Sequence, residues 1–145
     1  MTVFINDQTP QGWFSHHKLR RRLGRLLREL GRSNESLTVL VTDDHGIREI
    51  NKEFRRRDES TNVLAFPDTD EAMGLKRYLG DIAVSADTVK REAEIQGLSV
   101  GEHFYFCVIH ALLHLLGYDH ERSLAEERRQ NDETFRLMSF VKHDL

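Results

Sequence analysis

The stretch His110-Ala-Leu-Leu-His114-Leu-Leu-Gly117-Tyr-Asp-His120 constrains this chain more than any other segment. Two histidines four residues apart stand one above the other on a helix, with Cβ atoms roughly 5–6 Å apart. Imidazoles at that spacing converge on one zinc ion, whose bonds to nitrogen are about 2.0–2.1 Å. Gly117 accepts the left-handed backbone that ends a helix without a Cβ clash. The chain then turns back and delivers His120 to the same ion. Three histidines with an open fourth position are the ligand set of a catalytic zinc rather than a structural one.

The spacing matches the long zinc signature of one metalloprotease class, with one difference. That signature has glutamate after the first histidine, as general base. Here the position is Ala111, which cannot take a proton. The segment therefore offers metal-site geometry without the protease's base. The competing reading is a buried helix whose histidines are hydrogen-bonded core residues. Phe104-Tyr-Phe-Cys-Val-Ile109 is apolar on every side, as a core helix is. Each buried imidazole then needs its own partner, because an unsatisfied polar group costs about 1–3 kcal/mol. One shared metal satisfies all three. Zinc is the expected ion, one per chain, although nickel and copper also bind imidazole.

The rest of the chain reads as one domain, residues 1–145, an ordinary length that can bury a core without staples. Hydrophobic residues make up 39% and charged residues 31%, the balance of a globular chain in water. The single cysteine, Cys107, cannot form an internal disulfide and falls in the apolar helix, so it reads as core rather than nucleophile. Lack of disulfides agrees with a reducing cytosol. Met1-Thr-Val-Phe-Ile-Asn-Asp7 has no basic n-region and no long apolar stretch, so no signal peptide is expected. No apolar run approaches a membrane span. Cytoplasmic localisation without a membrane partner is the expectation.

A net charge of −3 argues against wholesale nonspecific nucleic-acid binding. The charge is uneven, however. Lys18, Arg20, Arg21, Arg22, Arg25, Arg28 and Arg32 form one basic run, and Arg55, Arg56 and Arg57 a second. Acid lies in Asp68–Glu71 and from Glu121 to Glu133. A local basic surface can hold a phosphate backbone on a chain of negative total charge.

Val3-Phe-Ile5 reads as a first strand. Ser15 caps a helix to about Gly31, with Leu19, Leu23, Leu26, Leu27 and Leu30 at helical spacing. Its arginines form the other face, either solvated or in contact with RNA. Ser36–Thr42 reads as a strand. Asp43 or Asp44 caps a helix through Phe54, with Ile47, Ile50 and Phe54 facing the core. Val63–Phe66 is a strand closed by Pro67, Asp68–Gly74 a loop, and Leu79–Ser85 a strand. Helices follow over Ala86–Gln96, Val100–Leu116 and Leu124–Val141. Strands and helices mixed in this way, some joined too tightly for crossovers, predict an α+β (mixed α/β) fold. A small, about four-stranded sheet packs with helices around a central metal-binding helix.

A second constellation lies in Asn51-Lys-Glu-Phe-Arg55-Arg-Arg-Asp58-Glu-Ser-Thr61-Asn-Val-Leu-Ala-Phe-Pro67. Its arginines admit two readings. They compensate a helix C-terminus, worth about 0.3–1 kcal/mol at an exposed site. Alternatively they clamp phosphate beside the metal, since guanidinium is always charged and matches phosphate with two parallel bonds.

At these blocks the chain resembles the YbeY family of bacterial metal-dependent endoribonucleases, also described as rRNA maturation factors. Asn51-x-x-x-Arg55-x-x-Asp58-x-x-Thr61-Asn-Val-Leu-x-Phe-Pro67, Leu79-Gly80-Asp81-Ile82 and His110-x-x-Leu-His114-Leu-x-Gly117-Tyr-Asp-His120 carry the resemblance. It implies an α/β fold with the histidine helix central, zinc on His110, His114 and His120, and an arginine, Arg55, in the same cleft. It implies cleavage of single-stranded RNA in ribosomal RNA maturation, at the small-subunit 3′ end, and in ribosome quality control. The implied partners are ribosomal RNA, small-subunit ribosomal proteins and assembly GTPases. The chain departs from the family at Ala111, Ser60 and Ala65, where glycine, proline and serine are usual.

The expected chemistry is hydrolysis of RNA phosphodiesters. Zinc acidifies a water or polarises a phosphoryl oxygen, and Arg55 offsets the charge of the transition state. Arg55 and His114 are the candidate catalytic residues, with Arg55, Arg56 and Arg57 as substrate-binding candidates. His114 or Asp119 assists proton transfer. Asp119 otherwise orients a ligand histidine from behind or serves the turn. Asp81 reads as structural. The rivals are a zinc peptidase, and a ribosome-assembly protein with a structural metal. The latter would use four protein ligands. Cys107 reaches the same helix face as His110, but the motif closes around three histidines without it.

Overall fold

The computed structural model describes residues 2–10, 12–68 and 77–141. Its elements are β1 (Val3–Asp7), α1 (His16–Glu29), β2 (Ser36–Thr42), α2 (Asp44–Arg55), β3 (Val63–Pro67), β4 (Tyr78–Ser85), α3 (Ala86–Gln96), α4 (Val100–Leu115) and α5 (Leu124–Met138). The four strands lie in the order β1-β2-β4-β3. β2 pairs in parallel with β1 and β4, and β3 runs antiparallel on the outer edge of β4. This is the α+β arrangement expected, with α4 at its centre.

Strand alternation sorts the two faces. Leu37, Val39 and Val41 of β2, with Ile82 and Val84 of β4, join the large core shared with α1, α3, α4 and α5. Leu64 and Ala83 point the other way and pack with Ile47 of α2 in a small second core. Leu19, Leu23, Leu26 and Leu27 of α1 are fully buried, worth roughly 1.5–3 kcal/mol apiece. α4 is apolar over most of its surface because most of it is enclosed: Phe104, Val108, Ile109, Leu112 and Leu113 have no exposed surface. Each helix begins on an oxygen-bearing cap: Ser15, Asp43, Ser85, Ser99 and Ser123.

Three expectations need correction. Phe54 does not face the core; it is 66% exposed, its ring lying against Phe66 at 5.7 Å. Among the described residues the core under α2 buries only Ile47, Leu64 and Ala83, which leaves the last helical turn uncovered. The final helix stops at Met138, not Val141. Ser139, Phe140 and Val141 donate to carbonyls three residues back, the tightened pattern of a terminating helix. The arginine face of α1 is not uniformly solvated: Arg22 is buried with its guanidinium 4.8 Å from the Tyr105 ring, and Arg25 lies over Phe140. The expected acidic loop falls, apart from Asp68, outside the described residues. Among the described residues no single helix is long and apolar enough to cross a membrane.

Candidate functional site

α4 ends as the glycine spacing required. Gly117 adopts φ +104°, its N–H donating to His114 O at 3.1 Å, and Tyr118 N–H donates to Leu113 O at 3.1 Å. These bonds satisfy the last helical carbonyls and reverse the chain. The next turn is held by Asp119, whose Oδ1 accepts from Glu121 N–H at 3.0 Å and whose Oδ2 lies 3.5 Å from Arg122 Nε. The carboxylate of Asp119 thus serves the loop rather than an imidazole. The reversal brings the His120 ring to 5.0 Å from that of His110, centroid to centroid.

His110, His114 and His120 line one cavity of about 50 Å³ together with Arg55, Ala111, Glu121 and the β3 residues Val63, Leu64 and Ala65. Residues more than forty positions apart meet there because β3, on the outer edge of the sheet, runs beside α4. Ala65 forms part of the wall, where its methyl offers no hydrogen bond. Asp81 lies on the opposite face of the sheet, accepting from Tyr78 Oη at 2.6 Å.

Three imidazoles are the donor chemistry of a transition-metal site. Burial, and then the neighbouring His120 and His114, push His110 down to about 4. Its ring therefore stays neutral at physiological pH, as a metal-binding imidazole must be. His120 Nδ1 is buried with no hydrogen-bond partner among the described residues. An orphaned ring nitrogen is costly in a protein interior, and a cation bound to its lone pair would remove the cost. Cys107 is not part of this cavity; its Sγ lies 3.6 Å from His103 Nε2, one helical turn away.

Arg55 occupies the last turn of α2, where a cation complements the helix dipole. Its Nη2 lies 3.8 Å from Glu121 Oε1 across the cavity. Asn51, nearly fully buried, anchors the segment that presents it. Its side-chain amide donates to Glu59 O at 2.9 Å, and its backbone carbonyl accepts from the N–H groups of Arg56 and Arg57. Arg56 takes the left-handed conformation, φ 59°, and swings the chain away from the helix. Arg56 and Arg57 are exposed and do not line the cavity. Of the three arginines proposed as one clamp, only Arg55 reaches the histidines.

Glu121 was not legible as a site residue. It begins the acidic stretch, and its one distinguishing signal is that it directly follows His120. Asn62 has a positioning role: its Oδ1 accepts from Val63 N–H at 2.7 Å and its Nδ2 donates to Glu92 Oε1 at 3.0 Å, pinning the start of β3 to α3.

Comparison with known proteins identifies the family. The profile of the family described as Endoribonuclease YbeY matches residues 5–140. The chain is 38% identical over 147 residues to Endoribonuclease YbeY of Geobacter metallireducens, covering 99% of this chain and 98% of the relative. It is 40% identical over 122 residues to the Anaeromyxobacter dehalogenans protein of that name, covering 84% of this chain but 63% of the longer relative. The solution structure of TM1509 from Thermotoga maritima superposes with a TM-score of 0.70 at 24% identity, over 97% of this chain and 89% of that one, and so shares the fold. By profile and by identity over most of its length, the chain belongs to the endoribonuclease YbeY family.

Proposed function

We propose that this chain is one metal-dependent hydrolase domain that cleaves single-stranded RNA in the cytoplasm, acting in ribosomal RNA maturation at the small-subunit 3′ end and in ribosome quality control. The observation that carries the reading is the convergence of His110, His114, His120 and Arg55 on one cavity. The three histidines would hold one zinc ion, which supplies Lewis acidity when bound. Arg55 would bind a phosphate oxygen of the scissile bond and offset the charge that grows on it, exchanging Glu121 for the substrate. His114 would serve as ligand and as a catalytic residue. Ala65 and Val63 shape the wall against which the strand lies. Ribosomal RNA is the proposed substrate, with small-subunit proteins and assembly GTPases as the partner classes that the family suggests.

The rival peptidase reading has one observation in its favour, a carboxylate in the cavity at Glu121. That carboxylate is paired with Arg55 at 3.8 Å, which disfavours its acting as a general base on water. The test is cleavage of end-labelled single-stranded RNA by the purified chain beside Arg55→Ala and His114→Ala. Loss in both folded variants supports the ribonuclease. Equal cleavage by all three rejects it, and hydrolysis of a peptide substrate in its place establishes the rival.

A further inference from the structure

α4 carries a second set of donors outside the histidine cavity. His103 and Cys107 stand four residues apart and continue the file of His110 and His114 along one helical face, at i, i+4, i+7 and i+11. Glu92 reaches the same point from α3. Glu92 Oε1 lies 2.9 Å from His103 Nε2, and Cys107 Sγ lies 3.6 Å from that nitrogen. The three donor atoms fall within 4.8 Å of one another. Tetrahedral zinc, with bonds of about 2.3 Å to sulfur and about 2.0–2.1 Å to nitrogen, separates those two ligand atoms by roughly 3.5 Å. The spacing found here is that spacing.

The cluster is built into the protein. His103 is 4% and Cys107 2% exposed, and the Glu92 carboxylate is aimed inward by the Asn62 amide at 3.0 Å. His103 Nε2 is thus shared between the Glu92 carboxylate at 2.9 Å and the Cys107 sulfur at 3.6 Å, which brings all three donors to one point. None of the three residues lines the histidine cavity.

We propose that Glu92, His103 and Cys107 form a second metal site, a thiolate–imidazole–carboxylate set suited to zinc or another thiophilic divalent ion. Binding displaces the Cys107 proton to solvent and forms a metal–sulfur bond, with no change of oxidation state. Without a metal the thiol keeps its proton, pushed up to about 12 by burial and then by the Glu92 charge. The site stands on its own geometry, whatever the histidine cavity binds.

The test is cobalt(II) titration of the metal-stripped chain, followed by near-ultraviolet absorption. Cys107 is the chain's single cysteine, so a thiolate-to-cobalt charge-transfer band has one possible source. The proposal expects that band in the wild type and in His114→Ala, and its loss in Cys107→Ser. Glu92→Gln, which changes a half-exposed side chain and spares the core, should weaken the cobalt affinity of the band at least tenfold, the scale on which metal-site contacts act. Cobalt binding without the band overturns the site. A band untouched by Glu92→Gln overturns the three-ligand assignment, even if Cys107→Ser fails to fold.

Discussion

The side-chain amide of Gln130 donates to the backbone carbonyl of His110 at 2.9 Å. Gln130 is wholly enclosed on α5, and Thr134 Oγ1 donates to its carbonyl at 2.8 Å. A terminal helix with a mostly polar surface thereby grips α4 at the first motif histidine. Gln130→Leu removes this contact while keeping volume. The His110 carbonyl keeps its position in the helix ladder, and Gln130 Oε1, buried without a partner among the described residues, is removed as well, so the cost should not exceed one net hydrogen bond, about 0.5–1.5 kcal/mol. The urea midpoint reads it. An unchanged midpoint would show that α5 docks through Leu137 and Met138 alone.

Arg56 pays for the direction of the chain behind α2. Its φ of 59° is the only positive value for a non-glycine among the described residues. A residue with a Cβ in that conformation carries roughly 1–2 kcal/mol of strain. Arg56→Gly should therefore stabilise the fold by about 1 kcal/mol. Because Arg56 lies outside the cavity, the proposed RNA cleavage should persist, whereas Arg55→Ala should abolish it. Loss of activity in Arg56→Gly would restore the three-arginine clamp.

Gly80 permits the β3–β4 pairing that carries Ala65 to the histidines. It sits at φ +138°, and a Cβ there would lie 2.2 Å from Phe66 O. Backbone cannot yield as a flexible side chain does. Gly80→Ala should cost more than about 4 kcal/mol, in the exceptional range for one substitution. Thermal unfolding, with soluble yield as a second readout, checks this. A shift of a degree or two would mean that β3 is held by other contacts.

Tyr78 should give stability an alkaline limit. Burial, and then its hydrogen bond to Asp81, raise its phenol to about 12 from 10.0, against the opposing bond to Thr38. Below pH 10 both folded and unfolded chains keep the proton. Between pH 10 and 12 the unfolded chain loses it first. The folded state then binds more protons, so stability falls as pH rises. Denaturant midpoints across that window should decline in the wild type and decline less in Tyr78→Phe. Parallel curves would assign the decline to other groups.

Much of the site was legible in the chain because helices are local objects. His110 and His114 share a face by the i, i+4 rule, and Gly117 supplies the positive φ that returns His120. The leucines of α1 and the caps Ser15 and Asp43 needed nothing beyond their neighbours. What required the tertiary structure lies across the sheet. Ala65 meets the histidines because β3 lies antiparallel on the edge of β4 and runs beside α4, and Arg55 meets them from the end of α2, placements set by non-local burial. The same layering exposes Phe54, where periodicity alone assigned it to the core. It also separates Arg55 from Arg56 and Arg57, since one left-handed residue decides which guanidinium faces the cavity. Periodicity places a side chain on a face of its own helix. Which face meets the rest of the protein depends on how much apolar surface the other layers have to cover it.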